Sequence, residues 1–163
     1  MRLPADATLI VIETLIAQES GAATNIAKLI EAWRAEELPI VHVRAGPPEA
    51  GPLSGGREGE SIIDSACVGA FAAPELEILL DEIGATTLTL CGDARAVEAT
   101  AREAADLGFQ AFVVSDACHK AEEQARSFAG LHKETATVVG LGEALRAAAA
   151  SKARQRRDAL RPK

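Results

Sequence analysis

The chain has 163 residues and a formal net charge of −7, with 48% hydrophobic and 25% charged residues. These values predict a single soluble, globular domain. No apolar run approaches the ~18–20 residues that a membrane-spanning helix needs, and the short apolar run near the amino terminus ends in a carboxylate, unlike a signal peptide. We therefore expect a cytoplasmic protein that makes no membrane contact.

Charge is distributed unevenly along the chain. Residues 151–163 contain six Lys or Arg and one Asp, so this segment carries about +5 and the rest of the chain about −12. We predict one domain over residues 1–150, followed by a basic C-terminal tail. An acidic body argues against nucleic-acid binding. The tail is interpreted as a solubilising terminus, and the alternatives are contact with RNA, with an acidic partner or with its own body.

Short apolar runs alternate with segments of helical periodicity. Apolar, β-branched runs predict strands at Thr8–Ile12, Pro39–Val43, Thr86–Cys91, Phe109–Ser115 and Thr135–Val139. Apolar residues at i, i+3, i+4 and i+7 predict helices at about 22–36, 74–83, 94–107 and 121–131, and an Ala-rich helix from Glu143 onward.

Strands separated by helices of 10–15 residues indicate right-handed crossovers and a parallel sheet with helices on both faces. The predicted fold is therefore α/β, a three-layer α/β/α sandwich around a doubly wound, mainly parallel sheet. One irregular stretch, Ala45–Glu60, holds three prolines and five glycines. We interpret it either as a binding loop or as a merely flexible connection.

Ligands of open parallel sheets bind beyond the carboxyl ends of the strands. This rule selects residues that follow the predicted strands: Glu13, His42, Arg44, Gly92, Asp93, Arg95, Asp116, Cys118 and His119. Simpler roles are also available for several of them. Asp93 would cap a helix, Asp116 would brace a turn, and His42 would be a packed or surface histidine.

The three cysteines, Cys67, Cys91 and Cys118, are scattered and form neither a CxxC spacing nor a disulfide framework. Cys91 ends an apolar strand, which is typical of a small buried hydrophobic residue rather than of a reactive thiol. The three histidines lack zinc-site spacing, and no phosphate-binding glycine motif is present. The sequence therefore predicts no metal and no cofactor.

The run LCGDARAVEATAREAADLGFQAFVVSDAC resembles the signature half of the isochorismatase-like superfamily, which includes cysteine hydrolases such as nicotinamidases and N-carbamoyl amidohydrolases. TLIVIE and LPIVHVR resemble the first two strands of that superfamily. Gly69-Ala-Phe71 with Pro74-Glu-Leu76 resembles its "Ser-Ala-Phe … Thr-x-Leu" segment. The resemblance covers roughly residues 7 to 145 and implies the same doubly wound sandwich.

The resemblance also implies a catalytic Asp, Lys and Cys, in which the thiolate attacks an amide carbonyl and water hydrolyses the thioester. Glu13 stands at the Asp position, Ser65 at the Lys position and Ala96 at the Cys position. The segment between Gly92 and Val97 has four residues, where the family has about six. The resemblance thus implies a hydrolase. Because Ser65 and Ala96 replace the Lys and the Cys, it does not determine whether this chain is active.

Three functional interpretations follow. The first, which the replaced positions favour, is a non-catalytic member that binds a small molecule or a protein partner, with Arg44, Phe71, Asp93 and Arg95 as candidate binding residues. The second is a hydrolase of a small amide or enol ether that uses Glu13 as acid or base, or, less favourably, Cys91 or Cys67 as a displaced nucleophile. The third is a structural subunit of a homo-oligomer.

Overall fold

The computed structural model describes residues 8–14, 21–45, 61–65, 70–119 and 136–149. The described strands are β1 (Thr8–Thr14), β2 (Ile40–Ala45), β3 (Ser61–Ser65), β4 (Thr87–Asp93), β5 (Gln110–His119) and β6 (Thr137–Val139). The described helices are α1 (Gly21–Ala35), a 3₁₀ turn (Ala70–Ala72), α2 (Pro74–Ile83), α3 (Ala94–Asp106) and α4 (residues 141–149).

The described strands form one sheet in the order β3-β2-β1-β4-β5-β6, and every described pair is parallel. The chain winds from β1 outward to β3 and then returns to continue on the other side from β4 to β6. Helices cover both faces, as the alternation of strand and helix predicts. The predicted α/β sandwich with a doubly wound parallel sheet is therefore confirmed.

The side chains of β1 alternate between the two faces of the sheet. Ile10 and Ile12 pack with α2 and α3, whereas Leu9 and Val11 pack with α1 and α4. All four are fully buried. This burial on both faces explains why the strand reads as a continuous apolar run rather than as alternating polar and apolar residues.

The helix ends follow the local sequence signals. α2 begins with Pro74, and its first turn carries Glu75 and Glu77, which suit the positive end of the helix. Gly84 ends α2 in the left-handed conformation, with φ 76°. In α3, Arg102 Nη2 lies 2.7 Å from Glu98 Oε1, and this i, i+4 order of acid before base is favourable in a helix.

Two strands differ from the sequence prediction. β3 was not predicted, because it has only five residues, lies at the edge of the described sheet and contains just two apolar side chains, Ile62 and Ile63. β5 continues to His119 instead of ending at Ser115. Its register shifts so that Leu90 pairs with Val113 but Gly92 pairs with Cys118. The predicted helix at 121–131, the Ala45–Glu60 stretch beyond β2, Cys67 and the basic tail lie outside the described residues.

Candidate functional site

The candidate site lies at the carboxyl edge of the sheet where β1 meets β4. The winding direction of the chain reverses between these two neighbours, and ligands of such sheets bind in the crevice at this reversal. Glu13 is near the end of β1 and Asp93 is the last residue of β4. The strand order thus brings together two of the residues selected from the sequence.

A row of charged residues crosses three strands at this edge. Arg44 of β2 is the register partner of Glu13 on β1 and also of Asp64 on β3. Neighbouring strands lie about 4.8 Å apart, so the main chain places Arg44 between the two acidic residues of the flanking strands. Arg44 is partly buried. The side chains of Glu13 and Asp64 lie outside the described part of the structure.

The junction between β4 and α3 has no intervening loop. β4 ends at Asp93 and α3 begins at Ala94. Gly92 has φ 120°, and a Cβ at this position would overlap the carbonyl oxygen of Ile12. Close contact with β1 therefore requires glycine here. The described side chains do not include Asp93 and Arg95, so their binding roles, like the capping role of Asp93, stay predictions.

Ala96 occupies the first turn of α3. Its side chain is fully buried and packs in the apolar layer between α3 and the sheet, together with Val97 and Ala101. The position that the sequence pattern associates with a nucleophile is therefore filled by a methyl group in the core. The position associated with a lysine, Ser65, is the last residue of β3, and its side chain is not described.

Both described thiols are buried in packed layers on opposite faces of the sheet. Cys91 lies on the face covered by α1, with its Sγ 4.0 Å from the carbonyl oxygen of Ile10. Cys118 lies on the face covered by α3, and its Sγ donates to the carbonyl oxygen of Val114 at 3.2 Å. Burial of this kind is typical of structural rather than reactive cysteines.

Phe71 lies apart from this edge. Its ring stacks on Phe109, with centroids 5.8 Å apart. Phe109 immediately precedes β5, whereas Cys118, which pairs with Gly92, lies near the carboxyl end of β5. At ~3.3 Å per residue, these two ends of β5 are far apart. The structure therefore does not bring Phe71 together with Gly92 or Arg44.

Two residues of α3 that the sequence analysis did not select hold the turn that carries Phe71. Thr100 Oγ1 accepts the N–H of Ala70 at 3.0 Å, and the carboxylate of Glu103 accepts the N–H of Phe71. Burial raises the pKa of Glu103, and the hydrogen bond from Phe71 opposes this with a smaller effect. In the sequence, Thr100 and Glu103 differ from their neighbours as polar residues within an Ala-rich helix. Polar residues in a helix commonly face solvent, so this signal does not identify a contact with the turn.

Three further observations concern His42, metal binding and membrane spanning. His42 is buried, consistent with a packed histidine. Within the described residues, no group of three His, Cys, Asp or Glu side chains is placed to hold a metal ion. In the same part of the chain, no helix is both long and apolar enough to cross a membrane.

Comparison with known proteins gives one consistent family. A family model described as "Isochorismatase domain" matches residues 11–143. A secreted isochorismatase effector of Verticillium dahliae is 31% identical over 117 residues, which are 63% of this chain and 62% of that protein. The chain thus spans less than two thirds of the length of this curated relative.

Solved structures agree with the same fold. A putative hydrolase of the isochorismatase family from Chromobacterium violaceum has a TM-score of 0.77 and 27% identity, over 92% of this chain and 97% of that one. An isochorismatase family protein from Burkholderia thailandensis has a TM-score of 0.80 and 22% identity, over 91% and 98% respectively.

Proposed function

Because the chain belongs to the isochorismatase family, we propose that it keeps the fold and ligand crevice of the family's hydrolases but lacks their cysteine-based chemistry. Its function would be to bind a small molecule at the carboxyl edge between β1 and β4. The observation that carries the proposal is the fully buried methyl group of Ala96 at the start of α3.

The β4–α3 junction supports the loss of thioester chemistry. A nucleophile at the first turn of α3 would need an exposed side chain and amide donors arranged around a developing oxyanion, in positions fixed to a few tenths of an ångström. Here the helix begins directly after Asp93, and Ala96 packs into the core. Replacing one member of a catalytic triad can cost ~10⁴-fold or more in rate. Neither Ala96 nor Ser65 carries the thiol or ammonium group of the family's chemistry.

A displaced nucleophile is also disfavoured. Cys91 has no exposed surface, and its layer of α1 and α4 contacts is apolar. Burial in apolar surroundings disfavours a thiolate, which is the reactive form. Substrate access to the Cys91 sulfur would require α1 to separate from the sheet.

The row of charged positions defines the polar side of the proposed ligand site. Arg44 lies in register between Glu13 and Asp64. One cation between two acids leaves a formal excess of one negative charge, which favours neutral or cationic ligands over multiply charged anions. Asp93 and Arg95 follow on the other side of the crevice. Phe71 would not contact the ligand. It would affect ligand binding indirectly, through the packing of its turn against α3.

The second candidate function is a hydrolase that uses Glu13 as acid or base. It is supported by the position of Glu13 at the reversal between β1 and β4. Arg44 holds the register-partner position, so this candidate would act through a carboxylate with a cation position on the neighbouring strand.

The experiment compares the wild-type chain with Glu13→Gln. Both are incubated with small primary amides, N-carbamoyl amino acids and enol ethers, and both are screened for thermal shifts against a metabolite set. The proposal predicts no turnover by either chain, and a shift for at least one metabolite. A ligand at ~100 times its Kd stabilises by about 2.7 kcal/mol. Turnover that Glu13→Gln abolishes would establish the hydrolase instead, and inertness in both assays would overturn both functions.

We also propose that the chain self-associates, since several apolar side chains are exposed. Ile78 is 59% exposed on α2 and Val138 is 42% exposed on β6. Sedimentation velocity should give a mass well above the 17.0 kDa of one chain, and a monomer at micromolar concentration would contradict self-association. A cytoplasmic location stays a prediction, to be tested by fractionation of the source cells.

A further inference from the structure

The outward face of α2 has an apolar side chain at its centre and carboxylates around it. Because an α-helix has 3.6 residues per turn, Ile78 lies on the side of α2 opposite the buried residues Leu76 and Leu80. Ile78 is 59% exposed. Four exposed acids flank it, and these are Glu75, Glu77, Asp81 and Glu82.

The acidity of this face distinguishes α2 from the other described helices. α2 has four acids and no Lys or Arg, so its formal charge is −4. α1 has two bases and one acid, α3 has two bases and three acids, and α4 has one of each. Their formal charges are therefore +1, −1 and 0. A surface of one charge sign attracts a partner of the opposite sign, so α2 favours a cationic partner.

The C-terminal segment 151–163 has the complementary composition. It contains six Lys or Arg and one Asp, and Leu160 is its only large apolar residue. Arg157 lies three residues before Leu160, and Arg161 follows it directly. A leucine among cations matches an isoleucine among carboxylates, both in apolar contact and in charge. Arginine is also the cation best suited to paired hydrogen bonds with a carboxylate.

The position of α4 favours the tail of a second copy over the tail of the same chain. α4 packs in the layer that contains α1, whereas α2 packs on the opposite face of the sheet. Leu160 is eleven residues beyond the end of α4, a span of at most ~36–40 Å. A path within one chain would have to pass around an edge of the sheet, use much of that span and order every residue on the way. A second copy needs no such path.

We propose that the outward face of α2 binds the basic segment 151–163 of a second copy of this chain. Leu160 contacts Ile78, and the Arg and Lys side chains of the segment pair with the α2 acids. If two chains exchange their segments, the contact occurs twice and the dimer is closed. The docking rests on the self-association proposed above and assigns a surface to it.

Sedimentation velocity of the full chain tests the docking. The wild type should form a dimer whose Kd rises ~10-fold or more between about 50 mM and about 500 mM NaCl, because salt screens exposed ion pairs. Asp81→Lys combined with Glu82→Lys should raise the Kd at low salt by ~10-fold or more, because it places like charges against the segment. Both acids are exposed, so the variant should fold, and its thermal unfolding checks this.

The matched control is Glu31→Lys combined with Asp106→Lys. It changes the net charge by the same amount at exposed acids outside α2, so the Kd should stay within about twofold of the wild type. Adding Arg156→Glu and Arg157→Glu to the α2 variant should restore the dimer. A Kd that the α2 variant leaves unchanged, or that the control raises equally, would overturn the docking and leave self-association standing. A monomeric wild type would overturn both.

Cross-linking identifies which chain supplies the segment. Unlabelled and 15N-labelled full chains are mixed and treated with a carbodiimide, which joins a lysine amine to a carboxylate as an amide. Lys152 or Lys163 should be linked to the α2 acids, and linked pairs should include an unlabelled peptide joined to a labelled one. Linked pairs that never combine the two labels would show that each segment binds its own α2, and would overturn docking of a second copy.

Discussion

Gly92 of β4 lies directly against the main chain of Ile12 on β1. A Cβ built on Gly92 would overlap the Ile12 carbonyl oxygen and would lie 2.7 Å from the carbonyl carbon and 2.9 Å from the nitrogen. These contacts involve backbone atoms of a central strand, which cannot move aside as a flexible side chain would. The crevice between β1 and β4 therefore depends on a glycine at this position.

Gly92→Ala should destabilise the protein severely. The backbone angle φ 120° disfavours any side chain, and the overlap with Ile12 adds to this strain, so we expect a loss of at least ~3 kcal/mol. The matched control is Gly108→Ala. Gly108 has φ 90°, but a Cβ there would meet nothing within 4 Å, so the expected loss is only ~1 kcal/mol. Urea unfolding measures both, and equal losses would show that crowding by Ile12 has no role.

Ala96→Cys should not create a reactive nucleophile. Ala96 is fully buried, and burial in an apolar layer raises the pKa of a thiol and blocks access to it. The variant should therefore show no additional fast-reacting thiol toward Ellman's reagent in the native state, one additional thiol in denaturant, and no amidase activity. A fast native reaction with one more thiol than the wild type would mean that the start of α3 opens to solvent.

The sequence predicted the central strands and helices well because their signals are local and strong. β1 is a continuous apolar run, and α2 has proline at its start and Gly84 at its end. The prediction failed where tertiary contacts, rather than the local sequence, determine the secondary structure. β3 gains its strand structure by pairing with β2, and β5 is extended by a register shift against β4. Neither pairing leaves a periodic pattern in the sequence.

The candidate site was predictable only in part. The rule for strand ends selected Glu13, Arg44 and Asp93, and the strand order places their main chains along the same edge of the sheet. The register of Arg44 between Glu13 and Asp64 could not be inferred, because Asp64 belongs to the unpredicted β3. Phe71 was selected by its motif alone, whereas its stacking on Phe109 depends on how α3 packs against the turn.

Thr89→Val and Thr100→Val should change stability in opposite directions. Thr89 is fully buried, and its Oγ1 has no hydrogen-bond partner within the described part of the chain. Removing this hydroxyl should stabilise the protein by ~1 kcal/mol, because an unpaired buried polar atom is replaced by a methyl group.

Thr100 is equally buried, but its Oγ1 accepts the Ala70 N–H, so the same substitution leaves a buried donor unpaired and should cost ~1–3 kcal/mol. Chemical denaturation of both variants at one pH gives the comparison. A destabilised Thr89→Val would mean that its hydroxyl has a partner in solution.

The Glu103→Gln variant should become increasingly stable relative to the wild type as pH rises. Burial raises the pKa of Glu103 in the folded state, so the wild type loses stability as pH rises through that value, whereas the glutamine does not titrate. The difference in unfolding free energy between variant and wild type should therefore be constant below pH 4.5 and grow in favour of the variant above it. A difference that stays constant up to neutral pH, or that grows in favour of the wild type, would contradict a raised pKa of Glu103 in the folded protein.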